Sequence, residues 1–386
     1  MTRSQYLALA WWKVRQKGRQ LRDGHLSLLQ RRADRWAQGW SRTADWPGSL
    51  ACWLDRAGGG TFWLPLEEAD EWARAGWTDE DERIANAAVR GEFDLLGSRP
   101  VELGSPPAWR RDLYSGHLWP LRSAHSIPLQ RSDGSDIRTL WELSRCYHVL
   151  PLARAYWSTG QAVYRDTFVS HVSSWIEDNP VGRGPNWASP MDAGIRAANW
   201  IVAMLLFARA EGIGIELWQR MLANLYATGL FLERHLEWHP IYRGNHFVSN
   251  GVGLVYLGTL FRDSPAGARW LRRGASILQE EILTQVGGDG VSFESSLAYH
   301  RLDTEFFAYG GELLRLNLPG GLPEAYEERL RRMYGFIAAY LPTGGEAPML
   351  GDADDGRLHA VSARGLIEPR RHRLGLPDRY WPAAAP

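Results

Sequence analysis

From Asp136 to about Leu341 the sequence is a nearly unbroken series of amphipathic stretches, each roughly 15 to 22 residues long and closed by a short turn carrying Gly, Pro or Asn. The spacing predicts helices over 137–158, 162–178, 189–211, 215–235, 246–262, 265–286, 295–317 and 323–341. Within the third, Met191, Ile195, Ala198, Val202, Leu205 and Leu206 recur at three- and four-residue intervals and share one face. The next stretch repeats the pattern with Leu217, Met221, Leu222 and Leu225. Long helices joined by such short turns pair antiparallel, because the turn cannot reach a more distant neighbour. No repeat of fixed period is present, which argues against a regular solenoid. The expected fold class is all-α, a closed or partly closed ring of antiparallel helical hairpins.

The flanks differ. Residues 3–40 are helix-like and strongly charged, after which Pro47 and the triplet Gly58 to Gly60 interrupt the pattern. Thr78 to Gly91 opens with an N-cap residue and early acids, the signature of a helix start. A loop rich in Gly, Pro and Ser leads into the helical series, and past Pro342 only about 40 residues remain, too few for another ordinary domain. The expected organisation is a small irregular N-terminal region over 1–100 packed on the ring, the ring itself over 101–345, and a short C-terminal tail over 346–386.

Charge and composition narrow the partners. The 44 basic residues balance 44 acidic ones, so no overall field draws the chain to nucleic acid, and a polyanion must be met by local charge. No run approaches the roughly 18 apolar residues that cross a bilayer. The apolar stretch from Tyr6 to Trp12 is too short for a secretory signal, so the expected compartment is the cytoplasm. Cys52 and Cys146 have neither metal-ligand spacing nor disulfide density and read as buried thiols. The 20 tryptophans suit sugar stacking and equally suit a helical core.

Three clusters carry chemistry-bearing groups. HLEWHPIYRGNHFVSNGVG gathers His239, Arg243, Asn245 and His246 at a helix start, where exposed N–H groups and the positive dipole end favour an anion. The simpler account makes Asn245 a cap and His246 a surface histidine. GGDGVSFESSLAYHRLDTEFF leads from a glycine-rich turn into a helix carrying Tyr299 and His300, with Glu294 just before it. Tyr299 either reaches a cleft through its hydroxyl or lies buried with a hydrogen-bonded one. In NPVGRGPNWASPMDAGIRAANW, Asp192, Arg196 and Asn199 form a polar stripe that is either paired, as Asp192 with Arg196, or lines a substrate site. Asn186 and Trp187 just before it offer a hydrogen bond and a stacking ring. The acidic GDADDGRLH lacks the later glutamate of a calcium loop and reads as a polar turn, so neither metal nor cofactor is implied.

Taken in order, these blocks, with LWELSRCYHVLPLARAYWSTG before them and APMLGDADDGR after, resemble the heparinase II/III-like family of polysaccharide lyases, over about residues 100 to 358. The resemblance implies an incomplete (α/α) toroid that takes an acidic polysaccharide and cleaves it by β-elimination. It implies that Asn245 neutralises the uronate carboxylate with Arg243 as helper, that Tyr299 is the general acid and also a base, and that His246 is the alternative base. His300, Asn186, Trp187, Asp192, Arg196, Asn199, His239 and Glu294 are the expected substrate contacts. Family members carry a β-sandwich after the toroid, which this sequence ends before, so a partner chain is a candidate source. Members of the family commonly act in the periplasm, the alternative compartment. A glycan-binding or scaffold protein without chemistry remains open, as does an (α/α) glycoside hydrolase using Glu294 with Asp192.

Overall fold

A computed structural model describes residues 61–341 except 76 and 97, together with 347–352, 356–359 and a few isolated positions before residue 61. The helical reading of 3–40, Cys52, and most of the 346–386 tail, including Asp354 and Asp355, lie outside the described residues.

Among the described residues from 61 onward, two helices precede the ring, α1 (Ala69–Ala75) and α2 (Asp79–Arg90). Thr78 caps α2 as its sequence suggests: its side chain accepts from the Asp81 N–H while the Asp81 carboxylate accepts from the Thr78 N–H. Gly91 ends α2 at φ +78, and its missing Cβ matters because one would lie 2.3 Å from the Gly104 carbonyl carbon. The only strands among the described residues, β1 (Glu92–Phe93) and β2 (Val101–Glu102), pair antiparallel.

The helical series follows: α3 (Ile137–Ser144), α4 (Val149–Thr159), α5 (Ala162–Asp178), α6 (Pro190–Phe207), α7 (Ile215–Arg234), α8 (Asn245–Leu260), α9 (Pro265–Gln285), α10 (Leu297–Asn317) and α11 (Glu324–Tyr340). The protein is an all-α toroid. One expectation is corrected: the stretch 137–158 is two helices, α3 and α4. Cys146 adopts φ +57 between them, which interrupts the helical ladder. Pro151, which has no N–H to donate, sits in the first turn of α4, where none is needed.

Every residue of α6 is buried, and so is every residue of α8 except His246. Such helices are apolar all round because neighbours cover every side; α8 packs against α6, α7, α9 and α10. The approach to α6 is close: a Cβ on Gly253 would lie 2.8 Å from the Cα of Gly194.

One apolar core runs from Trp63 and Leu66 through the helices to Leu358. A hydrogen-bond thread crosses it. Trp63 Nε1 donates to the Tyr256 hydroxyl at 2.9 Å, which lies 2.7 Å from His359 Nε2. His359 Nδ1 lies 2.8 Å from Asn199 Oδ1, and Asn199 Nδ2 donates to the Arg145 carbonyl at 3.0 Å. Donors and acceptors along this thread match when His359 is neutral with its proton on Nδ1. Beside it, the Leu358 N–H donates to Glu305 Oε2 at 2.8 Å and Arg301 Nη2 to the Gly356 carbonyl at 2.7 Å. Residues 356–359, within the stretch expected as a short C-terminal tail, pack against the core through Leu358 and His359.

No helix among the described residues is long and apolar enough to cross a membrane.

Candidate active site

Helix α8 starts at Asn245 with Gly244 as its N-cap. The Asn245 N–H donates to Glu294 Oε1 at 2.7 Å and its amide Nδ2 to Glu294 Oε2 at 2.8 Å. The anion expected at this helix terminus is therefore supplied by the protein itself. Glu294 precedes α10 by three residues, and Tyr299 lies half-buried in the first turn of α10, its N–H donating to the capping Ser296 Oγ at 3.1 Å. Through Glu294 the starts of α8 and α10 are tied side by side. Tyr242 and Phe293, exposed at 59% and 44%, pack edge to face beside this tie with ring centroids 5.7 Å apart.

His246 is the second residue of α8, with a side chain 52% exposed. Its Nδ1 lies 2.8 Å from Glu237 Oε1. The other Glu237 oxygen accepts from the Met191 N–H at 2.9 Å and from Asn250 Nδ2 at 3.0 Å, while the Glu237 N–H donates to Asn250 Oδ1 at 2.7 Å. Desolvation works against the imidazolium, but the Glu237 carboxylate outweighs it and raises the His246 pKa to about 9; Asp192 adds to the rise and Arg145 opposes it.

Behind His246, Arg145 Nε donates to Asp192 Oδ1 at 2.5 Å and Nη1 to Glu142 Oε2 at 2.7 Å, all three groups buried. An Asp192–Arg196 pair was one of the two readings open from the sequence. Arg196 turns the other way, its guanidinium 4.0 Å from the Trp175 ring centre and 5.1 Å from that of Trp187, with Nη1 donating to Ser144 Oγ at 3.0 Å. Burial pushes its pKa down to about 10. The aromatic faces and Ser144 hold this cation, while Asp192 is taken by an arginine from the break between α3 and α4.

Several expected substrate contacts are structural. Asn186, Trp187, Arg196, Asn199 and His300 are all buried. Asn186 Nδ2 donates to the Trp109 carbonyl and to Asn179 Oδ1, both at 2.8 Å, and Trp187 Nε1 donates to the Asn179 carbonyl at 3.0 Å. The sugar-stacking role expected of Trp187 gives way to a core role. His300 accepts the Ser292 N–H at Nδ1 and packs edge to face on Phe336; burial pushes its pKa down to about 4. His239 Nδ1 accepts the N–H groups of Ile241 and Tyr242, shaping the loop ahead of α8. Arg243 pairs with Glu280 and Glu281 at 2.9 and 3.0 Å, not with a group at the start of α8. Asp192, buried and bound to Arg145, has no exposed carboxylate to serve as half of a hydrolase pair. Cys146 is a buried thiol, as its sequence suggests, and burial raises its pKa to about 12.

Three residues of this cluster escaped the sequence reading, Glu237, Arg145 and Glu142. Glu237 lies inside the HLEWHP block, flanked by His235 and His239. Only the path of the loop returns it to His246, and no periodicity reports that path.

Fold and site together define a helical toroid with its polar groups gathered where two neighbouring inner helices begin. The chain belongs to the family described as heparinase II/III N-terminus, whose model matches residues 117–365. It is 27% identical over 226 residues to a heparin-sulfate lyase of Pedobacter heparinus, covering 56% of this chain and 33% of that protein. Against a heparin-sulfate lyase of Bacteroides stercoris the identity is 23% over 283 residues, covering 67% and 39%. The crystal structure of heparan sulfate lyase HepC from Pedobacter heparinus superposes with a TM-score of 0.53 at 21% identity, covering 73% of this chain and 44% of that one, a likeness of fold. The chain spans less than half the length of the curated relatives it matches.

Proposed function

We propose that this protein is a polysaccharide lyase acting on a uronate-containing acidic glycan by β-elimination. The observation that supports the reading is the tie through Glu294, which joins Asn245 at the start of α8 to the turn three residues before α10, the helix that carries Tyr299, in a chain whose curated relatives are heparin-sulfate lyases.

The reaction needs a donor on the uronate carboxylate, a base for the C5 proton and an acid for the departing O4. Asn245 fits the first need, since an amide has two N–H donors and Glu294 engages only one of them from the side chain. With the carboxylate neutralised, the C5–H bond breaks to the base, a C4–C5 double bond forms, and the C4–O4 bond opens as O4 takes a proton from Tyr299. The base is Tyr299 as phenolate or His246. A phenol near pKa ~10 needs a nearby cation to ionise at neutral pH. Arg243, engaged by two glutamates, is a poorer helper than its sequence position suggested.

The test is a panel of uronate polymers read by ultraviolet absorbance, because the unsaturated product absorbs and a hydrolysis product does not. New absorbance that disappears in Tyr299→Phe, with folding intact, is the expected result. The Glu294 grip on Asn245 favours a second reading, a glycan-binding protein without chemistry. In that case the polymers bind and no absorbance develops.

A further inference from the structure

We propose that Glu237 is a positioning residue that clamps the His246 ring through Nδ1 and keeps it in its charged form, so that His246 meets an oxyanion of the glycan as a donor and leaves proton abstraction to Tyr299. The catalytic consequence rests on the lyase reading above; the clamp does not.

The geometry of Glu237 is unusually well determined for a loop residue. Its main chain is fixed by Asn250 Oδ1 at 2.7 Å, and its Oε2 is held by two protein donors, the Met191 N–H at 2.9 Å and Asn250 Nδ2 at 3.0 Å. Met191 is the second residue of α6, so one donor is a helix N-terminal N–H. With Oε2 so held, Oε1 points to His246 Nδ1 at 2.8 Å.

The charged groups around His246 come from three packed elements. Glu237 stands on the loop after α7, Asp192 at the start of α6, and Arg145 in the break between α3 and α4. Its own helix contributes the neutral Asn245 and Asn250. Asp192 is already bound by Arg145 at 2.5 Å, and the two act on His246 in opposite directions, Asp192 the more strongly. Glu237 is the partner in direct contact, and its pull raises the imidazole pKa to about 9. An imidazolium donates from both nitrogens; with Nδ1–H given to Glu237, Nε2–H is the donor left for a substrate. A ring that already holds its proton at neutral pH cannot take one from C5.

The experiment is a histidine-selective NMR titration of the full chain, with the His246 signal identified by its loss in His246→Gln. The expected wild-type transition is near pH 9, falling by about two units toward the ordinary 6.5 in Glu237→Gln. Glu237→Asp, which retains the charge, restores part of the rise. A wild-type His246 titrating at or below 6.5 overturns the proposal without any variant, and equal values in wild type and Glu237→Gln overturn it with one. Where turnover is measurable, Glu237→Gln raises KM at pH 8 by about tenfold, the worth of one charge-assisted hydrogen bond, and changes kcat far less. A fall in kcat at constant KM overturns the donor role. If the polymer panel shows no turnover, the titration still decides the clamp, so the two failures are distinct.

Discussion

Asn245 holds both oxygens of Glu294, one from its main-chain N–H at 2.7 Å and the other from its side-chain amide at 2.8 Å. The contact joins the first residue of a buried helix to the loop that starts its neighbour. It also places a carboxylate where the α8 dipole favours one.

Replacing Glu294 by Leu leaves two donors of the buried Asn245 without their acceptor. The expected loss is about 2 to 4 kcal/mol in urea denaturation at unchanged m-value. A loss below about 1 kcal/mol means that water replaces Glu294 and that the tie does not organise the site.

Gly244→Ala tests the same contact sterically. Gly244 sits at φ −124, ψ −165, where any residue is comfortable, but an added Cβ would lie 2.6 Å from Glu294 Oε1. Alanine should therefore cost about 1 to 2 kcal/mol in the wild type and almost nothing in a Glu294→Ala background. Additive losses in the double mutant would show that the alanine acts somewhere other than on Glu294.

Acid stability should follow the buried histidines. Burial lowers His300 to about 4 and His359 to about 3 from the ordinary 6.5. Between those values and 6.5 the unfolded chain binds protons that the folded one does not. Their contribution is thus fully present above pH 6.5 and is lost as pH falls toward 4 and then 3. His246, raised to about 9, runs the other way, its contribution present below 6.5 and lost as pH climbs through 9; with its side chain half exposed, that contribution is small. The melting temperature should fall between pH 7 and pH 5, and less so in His359→Gln; equal slopes in the two proteins would remove His359 from the account.

Leu358 is 1% exposed within the ring core. Leu358→Ala should cost about 2 to 5 kcal/mol, as core truncations do, measured as a shift of the denaturation midpoint. A cost below about 0.5 kcal/mol would mean that residues 356–359 rest on the ring and do not fill it.

Much of the fold is legible because helix periodicity is a local property. The segments read at 162–178 and 215–235 match α5 and α7 within a residue, and Thr78 and Gly91 mark the ends of α2 because caps are local too. The stretch 137–158 was misread where a local rule met a tertiary demand: the chain breaks at Cys146, between the two helices whose junction carries Arg145 to Asp192. Pro151 was the visible sign of the break.

The site was legible only in part. Asn245, His246, Glu294 and Tyr299 can be nominated from helix starts and polar residue types, since a helix terminus announces itself in sequence. Which of Asp192, Arg196, Asn199, Asn186, Trp187 and His300 face solvent cannot, because each is a polar or aromatic residue on a helix or loop with neighbours on several sides. All six are buried.

The amino-acid sequence by itself determined the helices, their turns and the family to which the chain belongs, because these depend on residue types at short spacing. Only the tertiary structure decided which charges meet: Glu294 on Asn245, Glu237 on His246, Arg145 on Asp192, and His359 threaded into the ring. Each contact spans 9 to 160 residues, and none can be read until the loops and helices between the partners have packed and brought their ends together.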